Sequence, residues 1–301
     1  MTKRSVGDWI FDSSNYLFLG LLGLITLFPF WNVFMTSLVG SAEYYAKPIV
    51  LWPDSPTLTA YRYIFSTNWI GSGFLTTIII TVAGTLFDML LVCTAAYGML
   101  KKSLPGYKFF NYYFLLTMYF GGGLIPYYLI VTKYLGLTDS IFAMIITSSL
   151  SVWSYLVLKN FLREIPAELS ESAKIDGANE FTILFRIMLP LSLPSIATLS
   201  LFSAVGHWNE WSRALYFINS PDKLPLQMIL RKMVLDQNTV AAMKGAMDRA
   251  YQNLMGGSNE TLFDEAVKAA TVAVTTIPIM LVYPFIQKYF VKGVLVGSVK
   301  G

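Results

Sequence analysis

Six stretches of the chain run for 18 residues or more, the rough minimum for a membrane-crossing helix, without a single Asp, Glu, Lys or Arg. They are Ser13 to Ala42, Tyr63 to Phe87, Phe109 to Thr132, Ser140 to Leu158, Ile187 to Asn209 and Ala269 to Gln287. Lipid offers backbone N–H and C=O groups no hydrogen-bond partner, so such stretches are expected to cross as helices. The fold class expected is an all-α integral membrane protein with six transmembrane helices in a single domain over 1–301. The expected spans are about 14–40, 73–100, 109–132, 138–159, 187–211 and 267–289. The second is expected to start near Gly73 and to carry Asp88 inside. The first run is too long for the apolar part of a secretory signal, which covers about 7–15 residues.

Composition agrees. Of 301 residues 55% are hydrophobic and only 13% are charged, against roughly 25% charged in soluble domains. A water-soluble fold with so few charges would expose large apolar patches, which argues against a soluble enzyme, and so apolar a chain is not disordered. A formal charge of +4 is too small to indicate a nucleic-acid partner. A single cysteine, Cys93, excludes an internal disulfide framework and a four-cysteine zinc site.

Lys and Arg favour cytoplasmic loops. Lys3 and Arg4 precede the first span, Lys101, Lys102 and Lys108 follow the second, and Lys159, Arg163, Lys174 and Arg186 follow the fourth. Lys288, Lys292 and Lys300 follow the last, whereas the alternate short loops hold only Lys47, Arg62 and Lys133. Both termini are therefore expected in the cytoplasm. That leaves a cytoplasmic segment of about 160–186 and a long external one of about 212–266. The external segment is expected to hold helices at Leu226 to Leu235 and Val240 to Leu254, with a turn at Gly256-Gly257-Ser258-Asn259.

The cytoplasmic segment reads IPAELSESAKIDGANEFTILFRIMLPLSL from Ile165 to Leu193. Pro166 opens a helix whose polar face holds Glu168, Glu171, Lys174 and Asp176, and Gly177 ends it in left-handed geometry. A second amphipathic stretch, Phe181 to Met188, leads through Leu189-Pro190 into the fifth span. Two short surface helices joined by a glycine turn and rigidly continuous with the membrane make a docking knob.

These residues resemble a family. Glu171-Ser172-Ala173, three residues, Gly177, nine residues and Ile187-Met188-Leu189-Pro190 are similar to the EAA loop of ABC-importer membrane subunits, with Ser172 at the middle alanine. The flanking Lys174-Ile175-Asp176-Gly177-Ala178 and Leu189-Pro190-Leu191 look like carbohydrate importers of the MalG type. The C-terminal Gln287 to Gly293 and Gly297 to Gly301 are similar to the LplC/YtcP branch, associated with oligosaccharide or polysaccharide uptake.

The resemblance implies a multi-pass subunit of the bacterial cytoplasmic membrane, not catalytic itself. It would form a heterodimer with a second homologous permease subunit, with two ATPase subunits holding ATP and Mg, and with an extracytoplasmic sugar-binding protein. Coupling to the ATPase would fall on Glu168, Glu171, Ser172, Ala173, Asp176, Gly177, Ile187, Leu189 and Pro190. No cofactor is expected on this chain: no Gly-Lys dipeptide exists from which a phosphate-binding loop could be built.

Other residues have two readings each. Asp88, costly inside a membrane, either lines the sugar path or bonds a neighbouring helix; a lone carboxylate would also suit a proton-coupled secondary carrier. Gly122, within Gly121-Gly122-Gly123 before Pro126, either breaks the third span to line a cavity or lets helices pack closely. Trp208, Asn209 and Trp211 have the aromatic and amide chemistry that pyranose rings need, but Trp also favours membrane interfaces. His207 has no second ligand in the nearby sequence, so no metal site is expected. It has no obvious nucleophile either, which leaves an intramembrane enzyme the weakest reading. Asn259-Glu260-Thr261 fits a glycosylation pattern by chance.

Overall fold

The computed structural model describes residues 6–47, 49–66, 68–235 and 264–298. The second external helix expected at 240–254, the turn at 256–259 and the Asn259 pattern lie outside them. The described residues hold helices and turns but no strand. They divide into two compact units, residues 1–68 with 232–277, and residues 69–231 with 278–301.

In the first unit, α1 (Val6–Thr36) is long and apolar enough to cross a membrane, with mean hydropathy 2.0. It starts before the expected 14, taking in Asp8, which suits the positive end of the helix dipole. The chain then folds through α2 (Ser41–Ala46) and α3 (Thr59–Ser66). Met35, Val39 and Val50 form a small core there, and Trp31 Nε1 donates to Leu51 O at 2.9 Å.

The second unit is built on α4 (Asn68–Gly98), an unbroken helix of mean hydropathy 2.1. It begins five residues before Gly73 and carries Asp88 inside, as expected. After it come α5 (Tyr107–Tyr119) and α6 (Leu124–Leu129), the latter continued by a π-helical turn, Ile130–Tyr134. The expected span 109–132 is thus two helices bent by 112°. The break is the glycine run, where Gly123 adopts φ +86°, a conformation that costs other residues a Cβ clash.

The segment 138–159, expected as one span, is not one helix either. It consists of α7 (Ile141–Ile146) and α8 (Val152–Arg163), separated by Thr147 to Ser151. Thr147 and Ser149 donate their hydroxyls to Ala143 O and Ile146 O at 2.6 Å each. Leu150 takes φ +66°, and the Ser151 hydroxyl caps α8 by accepting from Ser154 N. Short hydroxyl side chains compete with the helical ladder, an effect that hydropathy averages away.

Next come α9 (Ala167–Ile175) and α10 (Glu180–Ile183), a π-helical turn Leu184–Met188, and α11 (Leu189–Leu191). Where a fifth span was expected over 187–211, the helix α12 covers Leu193–Trp208. It is bent by 85° from Glu180–Leu191, so the segment before it does not run straight into it. The bend sits at buried Ser192, whose hydroxyl donates to Met188 O at 2.8 Å, and Pro194 opens the new helix in its first turn. The described chain continues with α13 (Ser212–Phe217), α14 (Leu226–Leu235, as expected) and α15 (Asp264–Ser298), longer at both ends than the expected 267–289.

Within the second unit one core joins α4, α8, the segment before α12, and α12 itself. Met89, Val92, Cys93, Ala96 and Met99 of the α4 end meet Tyr155, Leu158 and Leu162 of α8, Ile183, Leu184 and Met188 of the segment before α12, and Leu199 of α12. Each fully buried side chain of this size contributes roughly 1.5–3 kcal/mol, so the segment between α8 and α12 is a folded part of the domain.

Candidate functional site

The α9 helix is terminated by a Schellman arrangement. Ala178 N donates to Ala173 O at 2.9 Å and Gly177 N to Lys174 O at 3.0 Å, with Gly177 at φ +84°. Ala173 and Ala178, brought together by this turn, both rest on the core. That explains the small residue at 173. Ser172 is exposed, so serine replaces alanine there without a packing cost. The next helix starts from Asn179, whose side chain accepts from Thr182 N at 2.8 Å.

Glu180 anchors the pair of helices. It accepts from Tyr97 Oη at 2.6 Å, pairs with Lys101, and lies 3.3 Å from Lys174 Nζ. The Lys101 ammonium and the Tyr97 hydroxyl push its carboxyl down to about 2. The sequence reading missed Glu180, although it lies six residues after Lys174 in the same segment.

Away from the core, Glu168, Glu171, Ser172, Asp176, Gly177 and Pro190 are exposed. Beside them lie Leu169, 44% exposed, Ile175, 88%, and Phe181, 73%. Ile187 is half-buried, and Leu189 packs on the core. The site therefore leaves acidic and large apolar groups exposed on the side away from the core.

A second cluster lies inside the helices. Asp88 is 5% exposed. Its Oδ2 accepts from Ser203 Oγ at 2.6 Å and lies 3.1 Å from His207 Nε2. Ser148 Oγ, at the end of α7, is 3.4 Å from the same nitrogen. His207 thus has the partner that its sequence surroundings did not reveal. Serine, histidine and aspartate meet here, but not as a catalytic relay. A relay needs the hydroxyl and the carboxylate on opposite ring nitrogens; here both approach Nε2, and Nδ1 and Asp88 Oδ1 are buried without a partner among the described residues. The described residues hold no group of three metal-ligating side chains. A stripe at helical spacing, Thr77, Thr81, Thr85 and Asp88, was the available signal for a polar face on α4.

Lys159, counted from sequence among loop cations, is also inside. It is 3% exposed, donates to Asn111 Oδ1 at 2.9 Å and Tyr155 Oη at 3.0 Å, and lies 5.3 Å from the rings of Tyr107 and Tyr155.

Of the candidate path residues, Trp208, Asn209 and Trp211 gather at the end of α12. Trp208 meets Phe74 edge-on at 5.9 Å, and Gln227 Nε2 reaches Asn209 Oδ1 at 3.5 Å. Arg231 stacks over Trp211 at 4.5 Å. Gly122 stands in the break between α5 and α6, with nothing within 4 Å of where its Cβ would be. A groove of about 550 Å³ opens beside the other break, lined by Tyr113, Phe114, Ser149, Ser151 and Trp153 among others.

Helices long and apolar enough to cross a membrane define the chain as a membrane protein. The family model for the inner membrane component of binding-protein-dependent transport systems matches residues 109–296, and the chain belongs to that family. It is 42% identical to the polygalacturonan/rhamnogalacturonan transport system permease protein YtcP of Bacillus subtilis, over 97% of this chain and 99% of that one. It is 40% identical to protein LplC of the same organism, over 97% of this chain and 95% of that one. Its fold is similar, with TM-score 0.86 and 29% identity, to a chain from the crystal structure of a bacterial ABC transporter involved in import of the acidic polysaccharide alginate; the match covers 96% of this chain and all of that one.

Proposed function

We propose that the chain forms half of the translocation pathway of an ATP-driven importer of oligosaccharides or polysaccharides. It pairs with a second homologous permease subunit, takes sugar from an extracytoplasmic binding protein, and is driven by two ATPase subunits that hold ATP and Mg. It crosses the membrane six times with both termini in the cytoplasm, the two broken spans included. The observation that carries the coupling role is the knob: Leu169, Ile175 and Phe181 are exposed on a segment whose other face is locked into the core. Exposed large side chains on a rigid protrusion are suited to a cleft in a partner, and Glu168 and Glu171 give that contact an acidic edge. Because α10 leads through Ser192 into α12, movement of the knob is transmitted to a membrane helix.

The alternative, a proton-coupled carrier using Asp88, draws on the buried carboxylate. Against it, Asp88 is already engaged by Ser203 and His207, which suits a bond between helices. The test is reconstitution in vesicles of the chain with its second permease, ATPases and binding protein. Labelled oligogalacturonide is expected to accumulate only with ATP and to keep accumulating when the proton gradient is collapsed. Accumulation by this chain alone, driven by a proton gradient, would overturn the reading.

A further inference from the structure

The end of α12 that lies away from the coupling segment, roughly 24 Å along 16 residues at 1.5 Å each, carries four side chains with complementary chemistry. Asn209 and Trp211 come from the turn after α12. Gln227 and Arg231 come from α14, four residues apart and so on one helix face. The two pairs are joined by the Gln227–Asn209 contact at 3.5 Å and by the Arg231 guanidinium over the Trp211 indole at 4.5 Å.

The cations close to this turn in sequence are neutralised. Arg213 is held by Glu210 and by Met144 O, and Lys223 lies 2.7 Å from Asp139. Arg231 differs: among the described residues it meets the Trp211 ring and no carboxylate. A guanidinium stacked on an aromatic ring is held in orientation while its N–H edge stays free to grip a carboxylate with two parallel hydrogen bonds. Trp211 keeps 40% of its surface exposed. The Asn209–Gln227 amides supply donors and acceptors of the kind that sugar hydroxyls use.

We propose that Arg231, oriented by Trp211, and the Asn209–Gln227 amide pair form a subsite for an anionic sugar residue, a uronate, at the entrance of the pathway. This rests on the reading of the chain as a saccharide importer and adds the charge of the saccharide. Arg231 grips the carboxylate, the indole offers an apolar face to the ring, and the amides take hydroxyls. A neutral sugar would use the amides and the indole but leave the guanidinium idle.

The experiment uses the complete importer in vesicles with one binding protein throughout, and two probes: tetragalacturonate and its fully methyl-esterified form, the same chain without charge. In the Arg231→Gln complex, kcat/KM for the acid is expected to fall about tenfold or more, the scale of a charge-assisted hydrogen bond. The change should lie in KM, uptake of the ester should hold, and Arg231→Lys should recover part of the loss. If uptake of both probes falls together, Arg231 is only a tether between α14 and α12, and the subsite is overturned. An unchanged ratio of the two probes overturns it as well. If the wild-type complex accumulates neither probe nor any neutral oligosaccharide, the importer reading itself fails, which is a separate result from an importer that takes both probes alike.

Discussion

His207 Nε2 lies 3.1 Å from Asp88 Oδ2, a contact between α12 and α4 that spans 119 residues of sequence. It joins the chain's single histidine to the one carboxylate inside the long helix α4. Both are buried, at 3% and 5% exposure. Removing one member takes a hydrogen-bond partner from the other's buried polar atom, which typically costs about 1–3 kcal/mol.

The first prediction follows. Asp88→Ala should strongly lower the thermal stability of the detergent-solubilised complex, while Asp88→Asn should cost less because the amide oxygen still accepts from Ser203. Uptake by the Asp88→Asn complex should show the same insensitivity to a protonophore as the wild type. A stability loss from Asp88→Ala no larger than that of an exposed substitution would mean that the pair does not hold α4 to α12.

The membrane class and the glycine turn after α9 were legible because both depend on local pattern. Charge-free runs mark α1 and α4 directly, Gly121 to Gly123 falls at the bend between α5 and α6, and Gly177 marks a helix end that only a left-handed residue completes. The Asp88–His207 pair was not legible, because nothing near either residue names its partner. Nor was the break at Thr147 to Ser151: each hydroxyl there is tolerated in a membrane helix alone, and the helix yields only when several compete for its carbonyls. Lys159 looked like a loop cation because the groups that shelter it, Asn111 and Tyr107, come from another helix.

The second prediction concerns coupling. Gly177 sits at φ +84° with open space around its missing side chain, so a substitution strains the backbone without a clash. Gly177→Val should cost about 1–2 kcal/mol locally and misplace Ala178 and the start of α10. The complex should still assemble, but substrate-stimulated ATP hydrolysis should separate from uptake. Glu171, exposed and outside the core, should behave alike: Glu171→Ala should impair transport but not folding. Wild-type uptake and stimulation in both variants would remove the knob from the coupling path.

The third prediction is a pH dependence. Glu180 has an ordinary value of 4.5, lowered in the folded protein to about 2 by Lys101 and then Tyr97. A carboxyl lowered by folding binds its proton less readily in the folded state, so it stabilises above its unfolded value and ceases to as pH falls through the folded one. The contribution is therefore complete at pH 7 and fades between about 4.5 and 2. The melting temperatures of wild type and Glu180→Gln should differ at pH 7 and converge as pH is lowered toward 3. A gap that stays constant over that range would show that Glu180 acts without its charge.

The last prediction tests how His207 is held. Gly84 of α4 lies against its ring: a Cβ built there would stand inside the contact distance of three ring atoms, Cε1, Nε2 and Nδ1. The ring is 3% exposed and engaged by Asp88 and Ser148, so it has no free direction in which to retreat. Gly84→Ala would normally strengthen a helix by about 1 kcal/mol, but here overpacking of about 1–3 kcal/mol and loss of the Asp88 contact should outweigh it. The variant should be less stable than wild type. In a His207→Ala background the obstruction is gone, and the same alanine should become neutral or stabilising, a reversal of sign that a double-mutant cycle reads directly. If Gly84→Ala is equally tolerated in both backgrounds, the close approach of α4 to the His207 ring does not determine the position of that ring.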